Sequence, residues 1–291
     1  MSSFLKKILW ATDFSKEAGE AFLYADYFAK SFKSSLIALH VIPDPSPVLY
    51  RSSYVIGKEL RKGVGSLKRE AEKRLEKFKN AKKESFPIII KEGNPAKKII
   101  ETAEEKKADL IVIGKRGISA IEKLLIGSVA NQVLRNSQVP VLITKKRTKK
   151  PRIKKILVPT DFSPQEEMER DFALKLARVF KADLTLLHVL ALYDYKFSPS
   201  VLDEMFETIM AKLKKRKRKE EEEIKVKEEI TRAITASAGI VDFGETNNCD
   251  LIVVSTYVQS KIERFFLGST TEKVISYTDI PVFAIPPLRS K

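Results

Sequence analysis

The sequence predicts two tandem α/β domains, each with an open, five-stranded parallel sheet flanked by helices. Two observations lead to this prediction. First, the chain repeats itself: KKILWATDFS at residues 6–15 returns as KKILVPTDFS at residues 154–163, and GSVANQVLRN at 127–136 returns as GSTTEKVISY at 268–277. Second, short apolar runs alternate in each repeat with longer amphipathic stretches, which is the pattern of parallel strands joined by crossover helices.

The length of the chain agrees with two domains. Its 291 residues exceed a single domain of ordinary size, which has roughly 100 to 150 residues. We predict a first domain over residues 1–147 and a second over residues 152–291, joined by a polar, basic stretch that contains Pro151.

The strands are predicted from runs of Ile, Val and Leu, as expected for strands that helices cover on both faces. In the first repeat these runs occupy residues 7–12, 35–41, 87–91, 109–114 and 140–144. An alternating α/β chain of this kind, with right-handed crossovers, forms a Rossmann-like or flavodoxin-like sheet. We predict the strand order 3-2-1-4-5, which is the Rossmann-like arrangement.

The helices lie between the strands and begin at recognisable capping residues. The first is predicted over residues 16–32, with Ser15 as its N-cap. The third begins at Asn94-Pro95 and the fourth at Gly127-Ser128. The face of the first helix that should pack on the sheet is formed by Ala18, Phe22, Ala25 and Ala29.

Glycines follow the fourth strand at the spacing G-x2-G-x9-G-S, formed by Gly114, Gly117, Gly127 and Ser128. Glycine tolerates positive φ and lets the backbone approach a ligand closely. We expect the amides of Gly127, Ser128 and Val129 to form the first turn of the fourth helix, where unpaired N–H groups and the helix dipole hold phosphate oxygens. The Ser128 hydroxyl is expected either to cap this helix or to donate to a phosphate.

Basic residues occupy the loop between these glycines. Lys115, Arg116 and Lys123 are expected to add positive charge where the phosphates would lie.

Asp13 supplies the opposite side of this predicted site, because it ends the first strand. In open α/β sheets, ligands bind outside the carboxyl ends of the strands, where the strand order reverses. With the order 3-2-1-4-5 that crevice lies between strands one and four, so Asp13 and Gly114 should face the same ligand. Asp13 would accept hydrogen bonds from ribose or adenine, and Val41, which ends strand two, would form an apolar wall for the base.

The ATDFS strand end, the Val41 position and the segment GKRGISAIEKLLIGS together resemble the universal stress protein family in its ATP-binding, tandem-domain form. The resemblance extends over both repeats. It implies an adenine nucleotide alpha hydrolase-like fold, adenine-nucleotide binding, and dimers formed through the last strand. It implies contacts to adenine and ribose at Ala11, Thr12, Asp13 and Val41. It implies phosphate-side contacts at Ile113, Gly114, Arg116, Gly117, Gly127, Ser128 and Val129.

The second repeat departs from this motif. Asp161, Gly268 and Ser269 remain, whereas Ser255 and Val258 stand where the two leading glycines would be. Valine is β-branched and is a poor occupant of positive φ. We therefore predict that the second repeat binds nucleotide weakly or not at all.

The net charge is divided unequally between the halves. Lys and Arg outnumber Asp and Glu by 31 to 16 in residues 1–150, but only by 23 to 22 in residues 151–291. A basic half suggests an anionic partner, which fits nucleotide phosphates and also nucleic acid or another polyanion. No basic stripe interleaved with aromatic residues for base stacking is visible. A nucleic-acid or polyanion binder therefore ranks third among the functions considered.

Motifs that the chain lacks bear on its activity. It contains no G-x4-G-K-[ST], no H-E-x-x-H and no G-x-S-x-G. Asp13 is the only obvious carboxylate near the predicted site and is assigned to the nucleoside, so no catalytic residue and no metal ligand are assigned. We expect ATP, with Mg²⁺ recruited by its phosphates, to act as a regulatory or assembly ligand. A slow ATP-hydrolysing enzyme that uses the same pocket is the alternative.

A cytoplasmic location without a membrane partner is expected. No apolar run approaches the roughly 18 residues that a bilayer requires, and polar residues interrupt the N-terminal segment that could otherwise be a signal peptide. The single cysteine, Cys249, excludes an internal disulfide and is expected to be buried and inert. We expect the last strands to pair the two domains as a pseudo-dimer within the chain, or whole chains to form a homodimer.

Two histidines occupy equivalent positions in the second strand of each repeat, His40 and His188. Because the position is kept in the repeat with the degenerate motif as well, we expect a buried, hydrogen-bonded imidazole with a structural role rather than catalysis.

Overall fold

The computed structural model describes residues 4–44, 54–117, 126–145, 150–163, 166–192, 198–215, 224–256 and 267–287 of the protein. The described chain falls into two compact units that part between Val141 and Leu142. The limits 1–147 and 152–291 of the two domains stay a prediction from the sequence.

The first repeat alternates strands and helices as predicted. Its elements are β1 (Lys7–Thr12), α1 (Lys16–Phe32), β2 (Ser35–Ile42), α2 (Tyr54–Lys82), β3 (Ile88–Glu92), α3 (Pro95–Glu105), β4 (Leu110–Gly114), α4 (Ser128–Asn136) and β5 (Val141–Thr144). The predicted strands differ from these by at most two residues at either end, because the apolar runs that predicted them are the buried parts of the strands.

The second repeat has the same succession of elements. They are β6 (Lys155–Thr160), α5 (Glu166–Phe180), β7 (Asp183–Ala191), α6 (Pro199–Lys215), β8 (Val226–Ala233), α7 (Ala236–Thr246), β9 (Leu251–Ser255), α8 (Ser269–Tyr277) and β10 (Val282–Ile285).

The strand order is 3-2-1-4-5 in the first repeat and its equivalent, β8-β7-β6-β9-β10, in the second. The neighbours pair in parallel, as in β1 with β2 and β4, and β6 with β7 and β9. The predicted α/β fold class is therefore confirmed, and the strand order reverses at β1 and at β6.

Helix α1 is held by a side-chain cap and by an aromatic cluster. Ser15 accepts a hydrogen bond from the Ala18 N–H at 3.1 Å, as its N-cap role predicts. The indole N–H of Trp10, on β1, donates to the Ala18 carbonyl at 3.0 Å. The Trp10 ring packs against Phe22 of α1 and Phe78 of α2, with ring centres 4.9 and 5.4 Å away. Because of these contacts, the start of α1 is fixed against the carboxyl end of β1.

Two further predictions concern buried groups and membranes. Cys249, two residues before β9, is buried as predicted, and burial raises the pKa of its thiol to about 11, which keeps it protonated at neutral pH. Within the described ranges, no helix combines the length and the apolar character that crossing a bilayer requires.

Candidate functional site

The predicted site lies at the carboxyl edge of the first repeat, where β1 and β4 are neighbours. Trp10 lies opposite Val112 in the register of these two strands. Counted on from this pair, Thr12 and Gly114 end their strands at the same level. The two halves of the predicted site, one after β1 and one after β4, therefore begin side by side.

The remaining wall of this edge comes from β2. Thr12 pairs with His40, which puts Asp13 level with Val41. Four residues that the resemblance assigned to the site are buried at the strand ends, namely Ala11, Thr12, Val41 and Ile113. Ala11, Val41 and Ile113 are apolar and Thr12 is polar, whereas Asp13 is half-buried.

A tight turn after β1 positions Asp13. Asp13 Oδ1 accepts a hydrogen bond from the Ser15 N–H at 2.9 Å, and Thr12 Oγ1 accepts one from the Phe14 N–H at 3.0 Å. Phe14 has a φ of 66°, a left-handed conformation that costs a residue with a side chain about 1–2 kcal/mol. The two hydrogen bonds offset that cost, so Asp13 has a structural role in addition to its predicted role in binding.

The second repeat forms the same turn. Asp161 Oδ1 accepts from the Ser163 N–H at 2.9 Å, and Phe162 has a φ of 61°. The turn is therefore shared by a repeat that has the glycine motif and one that lacks it. It is a feature of the fold, and the aspartate alone does not distinguish a binding repeat from a non-binding one.

His40 supports the turn of the first repeat from β2. Its Nδ1 lies 2.8 Å from the Thr12 carbonyl oxygen, which can only accept, so Nδ1 carries the proton. Its ring packs on Phe14, with ring centres 4.5 Å apart, and burial lowers the pKa of His40. His188 makes the equivalent contact with the Thr160 carbonyl at 2.9 Å. The predicted hydrogen bond is present in both repeats, whereas both rings are half-buried rather than buried. The structural rather than catalytic role of these histidines stays a prediction.

Gly114 is required because α1 begins directly against the end of β4. A Cβ at Gly114 would lie 2.9 Å from the carbonyl carbon of Glu17 and 3.1 Å from the Ala18 nitrogen. The expectation that Gly114 and Gly117 use positive φ is wrong, since among the described residues Gly93 is the only glycine that does so. Both glycines serve close approach instead.

Gly117 lies directly against Asp13. A Cβ at Gly117 would overlap Asp13 Oδ2. The structure thus brings together the residue predicted for the nucleoside side and one predicted for the phosphate side. The contact is formed only because Gly117 has no side chain.

Gly127 is the N-cap of α4 and supplies no side-chain cap. Its N–H donates to the Lys115 carbonyl at 2.9 Å, so this amide, predicted to face a phosphate, instead ties the loop to the helix. The N–H groups of Ser128 and Val129 have no backbone acceptor in the described part of the chain, as expected for the first turn of a helix. Ser128 is exposed. Since it does not cap α4, donation to a ligand is the predicted role of its hydroxyl that remains.

The basic residues of the loop are less exposed than predicted. Glu17 Oε2 accepts a hydrogen bond from the Arg116 N–H at 2.7 Å, and Glu17 Oε1 lies 2.8 Å from Arg116 Nη2. Lys115 is only 1% exposed, which withdraws its side chain from the loop surface. Lys123 lies outside the described residues.

Glu17 was not predicted from the sequence to contact this loop. Its place two positions after the cap Ser15, at the start of the helix that follows β1, could have indicated that contact.

In the second repeat, a carboxyl group of the protein contacts the end of β9. Glu169 of α5 accepts a hydrogen bond from the backbone N–H of Ser255 and is buried. The repeats are offset by 148 residues at α5, where Glu169 corresponds to Ala21, and by 141 residues at β9, where Ser255 corresponds to Gly114. Ser255 therefore makes a polar contact with a buried side chain at the position where Gly114 packs closely on the backbone of α1. This difference agrees with the prediction of weak or absent binding, which stays a prediction.

The prediction that the second repeat binds nucleotide weakly also depended on Val258. This residue lies outside the described residues, between the ranges 224–256 and 267–287.

Among the described residues, no group of three or more His, Cys, Asp or Glu side chains is arranged to hold a metal ion.

Two regions of the chain, residues 5–145 and 152–286, match the Universal stress protein family. Universal stress protein MJ0531 of Methanocaldococcus jannaschii is 39% identical over 147 residues, which cover 50% of this chain and 84% of that protein. Universal stress protein MJ0577 of the same organism is 34% identical over 161 residues, which cover 50% of this chain and 99% of that protein.

The fold is shared over the whole length with a solved structure. A universal stress protein from Archaeoglobus fulgidus DSM 4304 covers 100% of both chains, with a TM-score of 0.68 and 24% sequence identity. The similarity to this solved structure supports the fold. The two regions that match the family together include most of the sequence. The chain therefore belongs to the universal stress protein family.

Proposed function

We propose that this protein binds ATP in its first repeat, as a ligand that regulates its conformation or assembly in a stress response. The observation that carries the proposal is the contact between Gly117 and the Asp13 carboxylate. That contact brings an acceptor at the end of β1 next to the loop that follows β4, and the hydrogen bond from the Gly127 N–H to the Lys115 carbonyl ties that loop to the start of α4. An adenine nucleotide requires both: an acceptor for its sugar or base, and backbone donors for its phosphates.

The chemistry of these residues fits an adenine nucleotide. A carboxylate such as that of Asp13 accepts hydrogen bonds from ribose hydroxyls or from the adenine amino group. The N–H groups of Ser128 and Val129, at the positive end of the α4 dipole, suit phosphate oxygens. Gly117 and Gly127 have no side chain, which lets the backbone lie directly against Asp13 and Arg116. ATP would bring Mg²⁺ with its phosphates.

Calorimetric titration of the purified protein with ATP, ADP, AMP and adenosine tests the proposal. We expect one nucleotide per chain, because the glycine motif is intact only in the first repeat. Release of ADP should be timed in the same samples, since turnover above about one per second would indicate an enzyme instead. If no adenine nucleotide binds and none co-purifies by mass spectrometry, the proposal is wrong.

The regulatory part of the proposal concerns assembly. We infer that the last strands pair the two domains or that whole chains form a homodimer, and that bound ATP shifts this equilibrium. Light scattering measured with and without ATP gives the mass of the assembly in each state. An unchanged mass, together with unchanged hydrogen exchange, would contradict a regulatory ligand.

Asp13→Asn is expected to weaken ATP binding by about tenfold, because a hydrogen bond to a charged acceptor is replaced by one to a neutral acceptor. Asparagine keeps an Oδ1 acceptor for the Ser15 N–H, so the turn should survive and the loss should report on the carboxylate. Calorimetry measures the affinity, and thermal unfolding checks the fold.

The duplicated turn supplies the matched control for this experiment. Asp161→Asn makes the same change in the same turn of the second repeat and is expected to leave ATP affinity within about twofold. Equal effects of the two substitutions, or no effect of Asp13→Asn, would remove Asp13 from the site.

A further inference from the structure

We propose that Glu17 is an internal competitor of the nucleotide phosphates, and that it determines how strongly affinity depends on the charge of the ligand. The inference rests on the proposed function because it concerns the same site. It assigns to Glu17 a role in specificity rather than in building the pocket.

Glu17 occupies two donors of Arg116 that a phosphate would use. One carboxylate oxygen accepts from the Arg116 backbone N–H at 2.7 Å, and the other lies 2.8 Å from its guanidinium. A backbone N–H beside a guanidinium is an arrangement that binds oxyanions, and charge-assisted hydrogen bonds of this kind are the strong ones. The side chains of Arg116 and Glu17 are only 16% and 15% exposed, so water competes weakly for these bonds.

This ion pair lies inside the glycine motif. Arg116 stands between Gly114 and Gly117 in the chain, and its Cα would be 3.2 Å from a Cβ at Gly127. An anion that approaches the first turn of α4 along these glycines therefore reaches the donors that Glu17 holds.

The backbone of Glu17 is held by contacts that do not involve its carboxylate. Gly114 packs so closely on Glu17 that a Cβ there would approach its carbonyl carbon to 2.9 Å, and the cap Ser15 holds the same turn of α1. A phosphate could thus replace the carboxylate by a change of the Glu17 rotamer alone, without rearrangement of α1 or of β4.

The expected consequence is selective for phosphorylated ligands. A nucleotide whose phosphates reach Arg116 must displace a carboxylate of one negative charge, and each additional phosphate charge favours that exchange. Adenosine has no phosphate and does not require it. Replacing Glu17 by glutamine leaves an acceptor for the Arg116 N–H but removes the charge that competes for the guanidinium.

Affinities of the full chain for adenosine, AMP and ATP test this inference. Glu17→Gln is expected to raise the affinity for ATP by about tenfold, to raise that for AMP less, and to leave that for adenosine within about twofold. Glu20→Gln removes the same charge from the same helix, three residues further along, and is expected to leave ATP affinity within about twofold. Thermal unfolding verifies that each variant is folded.

A double-mutant cycle with Arg116 separates competition from a general effect of charge. In the Arg116→Gln background, Glu17→Gln is expected to change ATP affinity by less than about twofold. A gain that persists in that background would overturn the inference. So would weaker ATP binding by Glu17→Gln, because Glu17 would then position Arg116 for the phosphates.

The outcomes distinguish this inference from the proposed function. If ATP binds the unsubstituted protein and Glu17→Gln equally well, the proposed function stands and the inference fails. If neither protein binds any adenine nucleotide, both fail. If Glu17→Gln binds ATP and the unsubstituted protein does not, the competitor role of Glu17 is supported directly.

Discussion

Replacing Gly117 by valine is expected to lower the affinity for ATP by at least about 100-fold while leaving the protein folded. A side chain at this position would overlap Asp13 Oδ2, so the carboxylate would have to move. The overlapping atom is the end of a side chain, and the backbone of Gly117 lies outside the left-handed region that valine avoids. The substitution should therefore disrupt the site and spare the fold.

Gly19→Ala is the matched control for this substitution. A Cβ at Gly19, on α1, would meet no atom within 4 Å, so ATP affinity should be unchanged and thermal stability should rise slightly because alanine favours helix. Calorimetry with ATP and far-UV circular dichroism measure the two properties. Unchanged ATP affinity in Gly117→Val would show that the glycine loop is not part of the site.

A rise in pH from 5 to 9 is expected to destabilise the second repeat through Glu169. Burial, followed by the charges of Asp161 and Glu166, raises the pKa of Glu169 to about 8 against the opposing hydrogen bond from Ser255. The ordinary value, 4.5, applies to the unfolded chain. Between these two values the folded state holds a proton that the unfolded state releases, so the free energy of unfolding falls as pH rises and levels off above about pH 8.

Glu169→Gln should remove this dependence, because a neutral amide has the shape of the protonated acid. Relative to the unsubstituted protein, the unfolding free energy of the variant is expected to increase by about 3 kcal/mol between pH 5 and pH 9. Glu167→Gln, at an exposed neighbouring position, should show no such increase. Parallel pH profiles for the unsubstituted protein and Glu169→Gln would contradict the assignment.

The choice of probe matters for this measurement. Trp10 is the only tryptophan and lies in the first repeat, so its fluorescence does not report on the second. Hydrogen exchange followed in peptides from α5 reports on the unfolding of the repeat that contains Glu169.

Structural features that depend on residues close together in the sequence could be predicted. Ser15 and Asn94 cap their helices as expected, since each accepts from an N–H three residues further along the chain. The hydrogen bond of His40 could be predicted because the same residue recurs in the same strand of the other repeat. In contrast, the capping residue of α4 was ambiguous between Gly127 and Ser128, because either could precede the first helical residue.

The importance of these glycine positions could be predicted from the sequence, but the physical reason why glycine is required there could not. Spacing indicated a loop with unusual backbone requirements, and positive φ was the obvious explanation. The structure replaces it with close approach, since Gly114 packs on the start of α1 and Gly117 on Asp13. Which neighbour a glycine meets depends on how two elements pack, and a spacing of residues does not carry that information.

The duplicated pattern of apolar runs and caps was sufficient for the α/β class and for the right-handed crossovers of the parallel sheet. These properties follow from periodicity and from the handedness of crossovers, which act along short stretches of chain. Only the folded molecule revealed the Glu17–Arg116 pair and the contact of Glu169 with Ser255. The partners in the first of these are 99 residues apart, and they meet because a helix start is pressed against the end of a strand that is remote in the sequence.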